Sequence, residues 1–228
     1  MKEKAIKIED SDSFQTIFTK YGGAIALDKQ ECFGEIIGDT IGNLNIDDGV
    51  ISFGDDLEFP VQIIGTLSNE NNKWHWAWDN EEVNFPENLI KESFDVKKIG
   101  EKYSIGQFTT DVFDADLLES HLIAMTVSGI MDDDAYYAVD LGEVTIFVTI
   151  KSDKIQKDNS IERFINVYNK FQKEFDVKPR LAFEAYTKLR GYKYKERDEF
   201  SVAKIDESRV IVGFSERGNV THIQTMLE

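Results

Sequence analysis

Six aspartates in the middle of the chain, Asp111, Asp114, Asp116, Asp132, Asp133 and Asp134, are the densest group of side chains that could bind or catalyse. Calcium takes several oxygens converging from a looped backbone. The spacing Asp111-x-x-Asp114-x-Asp116 lacks the glycine and the closing glutamate of an EF-hand loop. The favoured reading is a helix cap at Asp114 or Asp116 and a solvated turn at the triple aspartate. His75, His121 and His222 are far apart, and none has a partner at metal-ligand spacing. Cys32 could join a histidine in a nucleophilic dyad only if the fold brought them together, and a small buried thiol is the simpler expectation. No nucleophile elbow, P-loop or dinucleotide fingerprint is present. Neither a metal nor a cofactor is expected, and the balance leans away from an enzyme.

All the tryptophans lie in Trp74-His75-Trp76-Ala77-Trp78-Asp79-Asn80. In a strand, residues at i, i+2 and i+4 share one face, so the three indoles would line one side of a sheet. Such a face either anchors a core or floors an aromatic pocket for a flat or cationic ligand. The core reading is favoured. Under the pocket reading Trp74, Trp76, Trp78 and Asn80 become the ligand contacts, although Asn80 suits a turn better.

Charge adds a second surface hypothesis. The 228 residues carry a formal net charge of -17. Residues 1–150 hold 10 Lys and Arg against 30 Asp and Glu, and residues 151–228 hold 16 against 13. Between Tyr103 and Ile150 there are nine acids and no lysine or arginine. Such a field disfavours unaided contact with nucleic acid or anionic lipid and suits a cationic partner. Colloidal solubility is the plain alternative. A single cysteine, no leader-like apolar run at the start and no bilayer-length apolar stretch predict a cytoplasmic chain.

These residues must be positioned by elements the pattern only partly specifies. Apolar spacing predicts helix from Phe14 to about Ile37, divided at Gly22-Gly23. Strands follow at 50–53, 59–67 and 73–78 as an antiparallel meander, with Asn-rich residues 68–72 as a turn. Pro86 opens a helix ending near Gly100, and Asp114 or Asp116 opens another that Gly129 stops. Residues 136–139 and 144–150 form a hairpin. Beyond the polar stretch 151–160, helices span 161–175 and 179–190, and 192–203, 209–214 and 220–226 make a three-stranded meander. Within it, Lys193, Lys195 and Arg197 share a face and read as a solvated edge. The pattern is α+β, with antiparallel meanders and a hairpin under packed helices. Two regions are expected, an acidic one at 1–152 carrying the tryptophans and a C-terminal one at 160–228, packed together as one globular unit.

The segment Gln62-Ile63-Ile64-Gly65-Thr66 followed by Trp74-His75-Trp76-Ala77-Trp78-Asp79-Asn80 resembles an uncharacterised bacterial domain family. That family's pattern is Gln-x-apolar-Gly-Thr, a small or polar turn, then Trp-x-Trp-Ala-Trp-x-Asn. Ala135-Tyr136-Tyr137-Ala138 and the β-rich run after it resemble the family too. The resemblance covers about residues 60–150. It implies an intracellular bacterial α+β protein and carries over no catalytic residue. His75 falls at a variable position of the motif.

The expectation is a non-enzymatic protein that uses an acidic surface to recognise a basic protein, in the manner of an immunity protein or inhibitor. Asp111, Asp114, Asp116 and Asp132 to Asp134 are its candidate contacts. The alternative is a small-molecule-binding protein or enzyme with an aromatic pocket on the tryptophan strand. A purely structural or assembly subunit is the third reading.

Overall fold

Two adjacent glycines, Gly22 and Gly23, divide the first helical segment because two other helices pass too close for a side chain there. In a computed structural model of the chain, which describes residues 6–79 and 83–227, α1 (Phe14–Ile17) runs through a π-turn at Phe18–Gly22 into α2 (Ala24–Ile37). A Cβ on Gly22 would lie 2.7 Å from Thr126 Oγ1, and one on Gly23 would lie 2.8 Å from the Phe171 ring.

The main sheet is built from β1 (Gly42–Asn45), β2 (Val50–Phe53), β3 (Leu57–Ser68), β4 (Lys73–Trp76), β5 (Val112–Asp114), β6 (Ala135–Asp140) and β7 (Val144–Ile150). It branches at the twelve-residue β3, which pairs with β2 near its start and with both β4 and β7 near its end. The meander and the hairpin match the sequence pattern. The last tryptophan does not. Strand β4 stops at Trp76, and Ala77–Asp79 turns as a 3-10 helix, so Trp78 leaves the ladder.

Two helix ends also differ from the glycine-based expectation. Pro86 precedes only a 3-10 turn at Glu87–Leu89, and α3 (Lys91–Tyr103) continues past Gly100 to a left-handed Ser104, φ 56°. A short α4 (Gly106–Thr109) then folds back, and a Cβ on Gly100 would lie 2.6 Å from Phe108. Helix α5 (Leu117–Met131) starts at a capping box in which Asp116 accepts the Glu119 amide at 2.8 Å and Glu119 accepts the Asp116 amide at 2.9 Å. It runs through Gly129 to a left-handed Asp132, φ 59°. Gly129 marks a crossing, since its Cβ would sit 1.8 Å from the carbonyl oxygen of Tyr21.

The rest of the chain is α6 (Ile161–Glu174), α7 (Pro179–Leu189) and a four-stranded antiparallel sheet of β8 (Lys193–Glu196), β9 (Phe200–Ile205), β10 (Ser208–Phe214) and β11 (Val220–Leu227). The single strand expected over 192–203 is a hairpin, closed by the Arg197 amide on the Phe200 carbonyl at 2.8 Å. The polar run at 195–199 offers no inward apolar residue to carry a strand through. Lys193 and Lys195 stand exposed on the edge strand β8.

The chain is thus an α+β protein with antiparallel sheets. One apolar cluster joins Phe18 and Ile25 of the first helical segment and Met125 of α5 to Phe164, Phe171, Phe183 and Val210. A second, with Phe33, Phe59 and Val148, fills one face of the main sheet, and a third surrounds the tryptophans. No helix among the described residues is long and apolar enough to cross a membrane.

Candidate functional site

The three tryptophans are buried. Trp74 and Trp76 are both 0% exposed. Their rings meet edge to face at 5.4 Å, Trp74 packs on Phe147 at 5.3 Å, and the Trp76 indole donates to the Gln107 carbonyl at 3.0 Å. Trp78 is also buried, with the Lys97 ammonium 3.7 Å from its ring. These positions are core, and Asn80 lies outside the described residues. Cys32 is buried too, and burial pushes its thiol up, away from the reactive thiolate. Among the described residues no group of three or more His, Cys, Asp and Glu could hold a metal ion.

The Gln62-x-x-Gly65 segment has a positioning role that spacing alone did not reveal. Gln62 donates to the Asn88 carbonyl at 3.0 Å and accepts the Lys91 amide at 3.1 Å, which seats the first turn of α3 on β3. A bulge at Ile64 shifts the register of β3 against β7, and the Ile64 carbonyl accepts the buried Ser93 hydroxyl at 3.1 Å. Gly65 leaves room for the Trp74 indole, which would lie 2.5 Å from a Cβ. Together these contacts place Glu92 over the end of β7.

The six aspartates do not form one surface. Asp111, Asp114 and Asp116 are exposed at the start of α5, whereas Asp132, Asp133 and Asp134 follow its end. The intervening fifteen residues of α5 span about 22 Å. Asp114 lies on β5 and pairs with Lys73 at 2.6 Å, leaving the cap to Asp116. Asp132 binds Lys29 at 2.8 Å, and Asp134 accepts the Ser152 amide at 2.9 Å. The expected solvated turn fails at Asp133, which is 1% exposed. Its amide closes on the Ser128 carbonyl at 2.8 Å and its carbonyl accepts the Lys29 ammonium at 2.7 Å, so the turn is pinned with the carboxyl inward.

Two arrangements remain with the makings of a site. The first is the sheet end formed by the β3–β4 and β6–β7 turns and the approach to α5. The register steps by one residue at β7: Asp140 lies opposite Thr145, while Val144, Ser68, Lys73 and Asp114 form one row across β7, β3, β4 and β5. Asn69 bridges the two turns, its amide on the Glu143 carbonyl and its side chain on the Gly142 carbonyl, both at 2.9 Å. The Ala115 amide on the Asn72 carbonyl at 3.0 Å adds the third connection. Glu70, Asp114, Asp116, Glu119, Asp140 and Glu143 are exposed there, with Lys73 as the one cation in these segments. Leu117, Leu118 and Leu141 stand among them, 52%, 63% and 59% exposed.

The second arrangement is a cleft of about 100 Å³ at the other end of β7, lined by Val61, Gln62, Glu92, Asp133, Thr149 and Lys151. The Glu92 and Asp133 carboxyls lie within hydrogen-bonding reach of each other, and the Thr149 hydroxyl donates to Glu92 at 2.5 Å. Burial, then the charge of Glu92, pushes Asp133 up to about 9. Burial also raises Glu92, against the hydrogen bond from Thr149. The pair therefore holds one proton at neutral pH.

A model of a family of unknown function, DUF6882, matches residues 17–153. The chain belongs to that family. Comparison with curated proteins and with solved structures gives no match. The DUF6882 region contains the whole main sheet, both arrangements just described and the Gln62 and Gly65 contacts, while α6 to β11 lie beyond it.

The carboxyl pair has a direct consequence for stability. An unfolded aspartate loses its proton near pH 4, whereas folded Asp133 keeps it up to about 9. The contribution of this group is full below the unfolded value and falls as pH rises toward the folded one. Asp133→Asn keeps a hydrogen-bond donor facing Glu92 without that dependence. Its advantage over the native chain is expected to grow from near zero at pH 4 to about 5 kcal/mol at pH 8. Urea unfolding at pH 5, 7 and 8 measures it, and parallel curves for the two proteins would contradict the shared proton.

Proposed function

We propose that this DUF6882 protein is a binding protein that recognises a cationic protein surface with the acidic end of its main sheet. The observation that carries this reading is the meeting of three connections in one patch at the sheet end, tied by Asn69 to Gly142 and Glu143 and by the Ala115 amide to Asn72. Five strands side by side make that patch about 19 Å wide, the scale of a modest protein contact. Exposed leucines ringed by acids suit an interface in which apolar contact holds and charge steers. An immunity-like or inhibitor-like role against a basic protein is the specific form of the proposal. Asp114 and Asp116 remain contacts under it, and Glu70, Asp140 and Glu143 join them. Asp133 drops out because it is buried.

Reversing Asp140 and Glu143 to lysine is expected to slow association with the partner about tenfold or more and to flatten its salt dependence, with folding unchanged. Asp55→Lys is the matched control, because its turn lies at the far end of β3. Affinity capture with all three proteins at low and high salt, followed by rate measurements on the recovered partner, makes the test. Binding that ignores both salt and the Asp140/Glu143 change would reduce the charge to a solubility feature.

A second reading, small-molecule binding or catalysis, is favoured by one specific observation. It rests on the Glu92–Asp133 cleft and no longer on the tryptophans.

A further inference from the structure

We propose that the cleft between α3, β3 and β7 is a site for a small N–H-bearing cation, an ammonium or guanidinium head seated between Glu92 and Asp133 in exchange for a proton. This is independent of the acidic sheet end, which lies beyond the opposite end of α5. Asp133 Oδ2 is buried and meets no hydrogen-bond donor among the described residues, although its side chain lines an open cleft. The proton shared with Glu92 is the one donor available to Asp133 in this pair, so a group that brings N–H donors of its own can take its place. The neighbouring cation does not fill the cleft. Lys151 directs its ammonium to the Asp132 and Met131 carbonyls, at 3.1 and 3.5 Å. Lys29 is engaged by Asp132 and the Asp133 carbonyl.

Size limits the ligand class. The cleft, about 100 Å³, is small beside the roughly 300–1,000 Å³ of ordinary ligand pockets, which suits a cationic head better than a whole sugar or nucleotide. Val61 supplies an apolar wall for the methylene behind that head, and the Gln62 side chain is committed to Asn88 and Lys91. The groups that set the charge here are Glu92, Asp133, Lys151, Lys29 and, at longer range, Asp95.

Proton balance follows from the chemistry. The empty pair carries one proton and one negative charge. When the cation enters, the shared proton leaves to solvent and both carboxylates accept hydrogen bonds from the bound nitrogen. One proton released per cation bound makes the affinity rise about tenfold per pH unit while the pair is still protonated.

The test is an amide NMR titration of the full chain with butylammonium at pH 6, 7 and 8, following Glu92, Asp133 and Thr149. Saturable shifts at these residues are expected, with binding about tenfold tighter at each step. Tetramethylammonium, which has the charge without N–H donors, is expected to leave them unmoved. A capped lysine tripeptide forms a second arm, because the same head is carried by a free amine or by a protein side chain. Tighter binding of the peptide assigns the site to a protein partner, and tighter binding of butylammonium assigns it to a free amine. Asp133→Asn and Glu92→Gln should each remove the pH dependence, and the Asp140/Glu143 reversal should leave binding intact. Absence of saturable shifts, equal shifts with tetramethylammonium, or affinity independent of pH would overturn the proposal.

Discussion

Trp76→Ala is expected to lower the stability of this protein by about 3–5 kcal/mol, the range for removing a large ring from a packed core. Trp76 is 0% exposed and holds edge contacts to Trp74 and to Phe108, with centroids at 5.4 and 6.1 Å. Truncation opens a cavity between β4 and α4 and also strips the Gln107 carbonyl of its indole donor at 3.0 Å. Folded domains hold only about 5–15 kcal/mol in total, so the alanine variant sits near the limit of folding. Trp76→Phe keeps most of the volume and should lose about half as much. Urea unfolding of both variants decides the matter. Unchanged midpoints would mean that the ring is not structural.

Asp28→Ala is expected to cost about 3–5 kcal/mol through a different mechanism, the stranding of buried cations. Asp28, on α2, is 1% exposed and lies at the centre of a network. Its Oδ1 accepts from Arg163 Nε at 3.1 Å, and its Oδ2 accepts from the Tyr186 hydroxyl at 2.9 Å and from Arg190. Arg190 also donates to the Asp158 carbonyl at 2.7 Å and to Asn159 at 2.9 Å. The aspartate belongs to the DUF6882 region, whereas Arg163, Tyr186 and Arg190 lie beyond it. The loss should therefore appear first as loosening of α6 and α7 from α2, seen as new protease cleavage in residues 151–160. Adding Arg190→Met to Asp28→Ala should recover part of the stability, since losing both partners strands less charge than losing one. Equal stability of the native and Asp28→Ala chains would show that the network is ornamental to the fold.

No residue of the Asp28 network is conspicuous in the sequence. Asp28 reads as one acid among 43, and its partners lie more than 130 positions away. The same holds for the cleft, because Glu92 and Asp133 come from different elements and meet only when the first turn of α3, seated on β3, reaches the end of β7. Gln62 and Gly65 were visible as a motif, but their reasons, a helix start and an indole, are contacts to residues distant in the chain. Three adjacent aspartates read as a solvated turn, yet Asp133 is buried. A left-handed Asp132 and the Lys29 contact turn the middle one inward.

The sequence by itself determined the local order of this protein. Apolar spacing set α6 and α7, Asp116 and Glu119 capped α5, and the asparagine-rich turn and the alternation around it set the β3–β4 hairpin. Each depends on residues within a few positions of one another, where helical and strand periods act directly. Tertiary structure alone decided that β7 and β5 flank the meander, that Gly100 and Gly129 sit inside helices, and that six acids share one sheet end while Asp133 is enclosed. Those outcomes depend on which surfaces meet. A glycine that ends a helix and one that lets two helices touch look alike in a sequence, because the difference lies in the atoms that approach them.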